Sequence, residues 1–132
     1  MDPMTEYQPG VCNIGANERR KRRLAGGVGF LAAIGYVAGV VLADLPTNYL
    51  LATSVFLFGG FVGFFQARFG FCVAFAALAR YDLSGSGGGA GTISEKEALR
   101  RDRRRAVTIV LYAASAAAFV TAVVYGIGVV AL

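Results

Sequence analysis

Two cysteines, Cys12 and Cys72, are the side chains of this chain best suited to covalent chemistry. Arg19, Arg20, Lys21, Arg22 and Arg23 follow the first, and Arg68 stands just before the second. A cationic neighbourhood suits thiol chemistry, so a redox or sulfur-handling pair is one expectation. The plainer one is two thiols with no joint role, one of them buried as a small apolar side chain. A metal centre on the pair would need further ligands, from carboxylates or a second subunit. The chain contains no histidine, which excludes imidazole acid–base catalysis and histidine-ligated metal.

The remaining polar side chains of the long apolar runs are hydroxyls and one amide, such as Thr53, Ser54, Gln66, Thr108, Ser115 and Thr121. No Asp, Glu, Lys or Arg lies near the middle of any run. Ion-coupled carriers ordinarily keep a charge at that depth, because it is the device that binds the ion. No catalytic set emerges, and a non-enzymatic protein without cofactor or bound metal is expected.

Elements that could position these groups follow from composition. Of the 132 residues 56% are apolar and 16% charged, and mean hydropathy is +0.58. A globule of this length has too little interior for so much apolar surface, which points to lipid as the solvent. Three uncharged runs are long enough to span: Leu24–Ala43, Tyr49–Gln66 and Ala106–Leu132. At ~1.5 Å per residue the first covers about 30 Å, the thickness of a bilayer core. The first run is also longer than the apolar part of a cleaved signal peptide.

Phe69–Ala79 is too short to cross alone and is expected as a short interfacial helix bracketed by Arg68 and Arg80. The alternative is one long helix extending the second span, broken at Gly70. Pro46 ends the first span in the turn Asp44–Asn48, which makes the first two helices antiparallel neighbours. Ser84–Gly91 has the composition of a flexible linker. Ser94 with Glu97 reads as a capping box opening a basic helix that continues into the third span. The expected fold class is all-α: an integral membrane protein with three transmembrane helices plus a short interfacial helix. Its parts are an N-terminal tail with a basic cluster (1–23), a transmembrane hairpin with the interfacial helix (24–80), a linker and basic helix (81–105), and a third span (106–132).

All 13 Lys and Arg fall before the first span, after the second or before the third. With three crossings these places share one side, which the positive-inside rule assigns to the cytoplasm. The N-terminus is then cytoplasmic and Leu132 external, in the cell (inner or plasma) membrane. Beside a 20-residue apolar run the basic cluster reads as a topology signal with generic headgroup attraction, and no nucleic-acid partner is expected.

Small residues recur every four positions: Gly35, Gly39 and Ala43; Gly59, Gly63 and Ala67; Ala114 and Ala118. Such faces let helix backbones approach closely, either inside one subunit or in a homo-oligomer or larger membrane complex. The phenylalanines between Phe56 and Phe71 are expected to face lipid or fill a helix seam.

The stretch Cys12-Asn13-Ile14-Gly15-Ala16-Asn17-Glu18-Arg19, with more Arg before a glycine-bearing span, resembles the opening of the YgaP-like transmembrane domain family. Gly70-Phe71-Cys72 matches that family's element at the close of its second helix. The resemblance covers residues 12 to 83 and implies a two-helix hairpin, with Asn13, Gly15 and Cys72 as pattern positions and no catalytic role for them. Val73 stands where the family often has Pro, and the third span lies outside the pattern. Functionally the residues favour an accessory or helix-packing membrane component. A thiol protein using Cys12 and Cys72, or a subunit of an oligomeric channel, are the alternatives.

Overall fold

The computed structural model describes Tyr7, Pro9, Gly10 and residues 12–83 and 89–131. Four helices make up most of it. Helix α1 (Ala16–Leu42) carries Glu18 and the basic cluster in its first two turns and is apolar beyond Arg23. Its end is a Schellman motif: Leu45 N donates to Val40 O at 3.0 Å and Asp44 N to Val41 O at 3.2 Å. Asp44 takes the left-handed conformation (φ 56°) that this motif requires, and Pro46 prevents the helix from resuming.

The second apolar run starts two residues earlier than its composition suggests. A 3₁₀ segment, Thr47–Ala52, leads directly into α2 (Thr53–Phe69). Gly70 ends α2 in the left-handed region (φ 65°, ψ 38°), and Phe71 N donates back to Gln66 O at 3.0 Å. The chain therefore breaks at Gly70, and the helix expected over Phe69–Ala79 is confined to α3 (Val73–Ala77). Ala79, with φ 56°, turns the chain out of it.

A small antiparallel hairpin follows, β1 (Arg80–Asp82) with β2 (Ala90–Thr92), in which Tyr81 faces Gly91. This sheet departs from an all-helical chain, and β2 takes up the last residues of the expected Gly/Ser linker. Linker positions 84–88 lie outside the described residues. Helix α4 (Lys96–Ala131) begins after Glu95, whose carbonyl accepts the first helical bond from Leu99 N at 3.1 Å. That puts the cap one residue beyond the expected Ser94.

Helix α2 is the middle of the bundle. On one side its backbone meets that of α1: a Cβ on Gly63 would lie 2.6 Å from Gly26 N, and one on Gly29 2.7 Å from Gly60 N. Phe30 closes this seam with an edge-to-face contact on Phe61 at 5.0 Å. On the other side α4 runs antiparallel to α2, with Tyr112 against Phe65 and Arg105 against Phe69. Ala98, Asp102, Ala106, Ile109, Ala113, Ala117, Thr121 and Gly128 are its buried residues, at helical spacing.

Most of the apolar surface stays outside. Of the most apolar stretch of each helix only 17%, 39% and 22% is buried, for α1, the Thr47–Phe69 segment and α4 respectively. Leu31, Ile34, Val55, Phe119 and Ile127 are all well exposed. Three helices are long and apolar enough to cross a membrane. Residues that water would penalise on every outer face are what lipid accommodates.

Candidate functional site

The polar chemistry gathers at one end of the bundle, where α1 and α4 begin and α2 ends. Four of the six buried polar or charged side chains among the described residues lie there: Asn13, Glu18, Gln66 and Asp102. Asn13 belongs to a strap, residues 12–15, that precedes α1 and passes between the Gly70–Cys72 turn and β1.

Backbone bonds seat the strap on both sides. Asn13 N and Ile14 N donate to Gly70 O at 3.1 and 3.3 Å, Asp82 N donates to Asn13 O at 2.8 Å, and Gly15 N donates to Asp82 O at 2.7 Å. Ile14 pairs with Asp82 as a parallel bridge, so the strap acts as a third strand beside β1. Gly15 is needed for the close approach, since a Cβ there would lie 2.5 Å from the Leu83 carbonyl carbon.

Asn13 then reaches across to Cys72. Its Oδ1 accepts from Cys72 N at 2.6 Å and its Nδ2 donates to Cys72 O at 3.0 Å. A side-chain amide here substitutes for a neighbouring strand, bonding both backbone polar groups of Cys72, whose O also accepts from Ala76 N at 3.1 Å. Gln66 performs the companion task, its Oε1 accepting from Val73 N at 2.8 Å to open α3. Neither amide role is visible from spacing, because each partner belongs to a turn whose shape the sequence leaves open.

Both thiols are buried, Cys12 at 0% and Cys72 at 1% exposure, and no disulfide joins them. Their segments touch through the Asn13 clamp. The guanidinium at the Cys72 sulfur belongs to Arg22, not to the sequence-adjacent Arg68: Arg22 Nη2 donates to Sγ at 3.0 Å. Glu18 steadies that arginine at 3.3 Å and also takes Lys21 at 3.0 Å, while the Phe75 ring lies 5.7 Å from the Arg22 guanidinium carbon. Among the described residues no three His, Cys, Asp or Glu side chains converge as a metal site.

A second anchor ties the N-terminal stretch to α4. Asp102, fully buried, accepts from Tyr7 OH at 2.6 Å and from Gly10 N at 2.8 Å, and Tyr7 stacks on Tyr81 at 5.0 Å. Burial, then the bond to the Asp102 carboxylate, pushes the Tyr7 phenol well above its ordinary pKa. Arg19 Nε caps the end of α2 by donating to Ala67 O at 3.0 Å.

The small-residue positions divide between two surroundings. Gly63 and Ala67 are buried, Gly63 in the α1–α2 seam, which α1 supplies with Gly26 and Gly29. Gly35, Gly39 and Gly59 lie on open surface with no heavy atom within 4 Å of an added Cβ. Ala43, Ala114 and Ala118 are exposed as well. The phenylalanines split likewise, Phe71 fully buried and Phe64 and Phe58 exposed. No family model matches the chain, and no curated protein or solved structure matches it either.

Proposed function

We propose that the chain is a non-enzymatic accessory or helix-packing component of the cell membrane, associating through the outer face of α1. One observation carries this reading: Gly35 and Gly39 stand on open surface although the intramolecular seam is already complete without them. A glycine row facing lipid gives no packing within the subunit, whereas it lets a second helix approach to backbone contact. The N-terminus is read as cytoplasmic and residue 132 as external, because α1, α2 and α4 carry their basic residues at one end of the bundle.

The test is crosslinking in intact membranes, comparing the native chain with Gly39→Leu and Gly63→Leu. Gly39→Leu should leave the monomer folded and weaken association about tenfold, the factor that ~1.4 kcal/mol carries. Gly63→Leu should instead disrupt the fold, its Cβ meeting the α1 backbone at 2.6 Å. Association unchanged by Gly39→Leu would mean that this face looks at lipid.

The Arg22–Cys72 contact favours a second reading, a thiol protein for redox or sulfur traffic. Access to Cys72 would then require the strap to lift, so thiol labelling should depend on the Asn13 clamp. The resemblance to the YgaP-like transmembrane domain belongs with either reading. Its three pattern positions have structural tasks here, since Asn13 holds Cys72 and Gly15 admits Leu83.

A further inference from the structure

At the basic end, α4 and the N-terminal stretch border an open, shallow cleft of about 340 Å³ lined by Pro9, Gly10, Arg101, Arg104, Arg105 and Thr108. We infer that this cleft binds a phosphate group, held by the guanidinium groups of Arg101, Arg104 and Arg105.

The three arginines fall at i, i+3 and i+4, one face of the helix, and among the described residues no carboxylate lines the cleft. Of the nearby acids, one is engaged away from the cleft and one holds the Nε of a cleft arginine. Asp102 is taken by Tyr7 and Gly10, and Glu97 pairs with Arg101 Nε at 3.4 Å on the exposed helix surface. Arg105 is held in place, its guanidinium carbon 4.7 Å from the centre of the Phe69 ring. Its Nε is nevertheless buried with no hydrogen-bond partner. A guanidinium N–H without an acceptor is costly, and phosphate oxygens are strong acceptors that also carry the charge to balance the three arginines. Arginine suits the task because its planar fork meets two phosphate oxygens at once.

Depth agrees with the chemistry. Arg105 is the last charged residue before the apolar stretch of α4, and Thr108 lines the cleft one turn further in, its hydroxyl bonded to Arg104 O at 3.1 Å. That boundary is where phospholipid phosphates lie when such a helix crosses a bilayer. The phosphate could belong to an anionic lipid headgroup or to a free phosphorylated solute. The inference goes beyond the self-association reading, which concerns α1.

Native mass spectrometry of the full chain, released from vesicles of phosphatidylcholine and phosphatidylglycerol, tests it. The native protein should retain phosphatidylglycerol in preference to phosphatidylcholine, and R104A/R105A should lower that occupancy about tenfold. R100A/R103A removes the same charge from the same helix outside the cleft and should change occupancy by less than about twofold. R105K keeps charge and stem but loses the fork, so a reduced occupancy there supports the site even if the double variant misfolds. Displacement of the lipid by millimolar inorganic phosphate would identify a free phosphate as an acceptable source, and resistance would identify the headgroup. Equal losses from both double variants, or no preference for phosphatidylglycerol in the native protein, would overturn the inference.

Discussion

Asn13 holds Cys72 by both polar groups of its backbone, accepting from N at 2.6 Å and donating to O at 3.0 Å. This amide bridge fastens the strap ahead of α1 to the turn after α2. Both residues are almost wholly buried, so neither backbone group of Cys72 has water as a substitute.

Asn13→Ala should therefore leave Cys72 N without its acceptor, while Cys72 O keeps the bond from Ala76 N at 3.1 Å, and destabilise the fold by on the order of 1–3 kcal/mol. Asn13→Asp keeps the acceptor for Cys72 N but loses the donor to Cys72 O. Denaturant unfolding in detergent measures the cost, and maleimide labelling of Cys72 should accelerate in parallel. A stable Asn13→Ala with unchanged labelling would show that the strap is held by its backbone bonds alone.

Gly15→Ala should be costly for a different reason. The added methyl would lie 2.5 Å from the Leu83 carbonyl carbon and oxygen, a backbone that has no rotamer by which to yield. Overpacking of this kind costs about 1–3 kcal/mol. Hydrogen exchange should quicken at Asp82 N and Gly15 N, whose bonds cross that contact.

Alkaline pH should loosen the N-terminal anchor. The Tyr7 phenol has its pKa raised above its ordinary value of 10.0, first by burial and then by the Asp102 carboxylate. A group raised in this way stabilises the fold at every pH below its unfolded pKa, and the contribution is lost as pH climbs past that value towards the folded one. Proteolysis near residues 7–15 should accordingly stay slow up to a pH of about 10 and rise above it. Tyr7→Phe, which cannot bond Asp102, should be nicked faster at neutral pH and show no such rise.

Topology offers a separate check. A reporter inserted within residues 84–88 should read as cytoplasmic, and one fused after residue 132 as external. External accessibility of the 84–88 insertion would overturn the three-crossing orientation.

Much of the fold can be read directly along the chain. Leu24–Ala43 announces a span because it lacks any charge over a bilayer's length, and Pro46 announces its end. Asp44 completing a Schellman motif was not legible, since a positive φ at a non-glycine residue depends on the bonds available to the residue after it. Likewise the period-four pattern marks Gly35, Gly39, Gly59 and Gly63 as equivalent, yet only Gly63 among them enters the seam. Helix rotation about its axis decides which glycines meet, and rotation is set by partners, here Gly26 and Gly29 against Gly60 and Gly63.

The candidate site shows the same division. Its residue types and the two cysteines stand in plain view, but proximity along the chain pointed to Arg68 as the neighbour of Cys72, whereas Arg22 fills that place. Composition alone determined that three helices are long and apolar enough to span a membrane and that positive charge collects at one end, because hydropathy and charge are summed residue by residue. Only the tertiary structure decided that a strap crosses that end, that Asn13 and Gln66 complete buried turns, and that Asp102 anchors Tyr7. Hydrogen bonds between residues far apart in sequence depend on direction and on distances of a few ångströms, which no local pattern encodes.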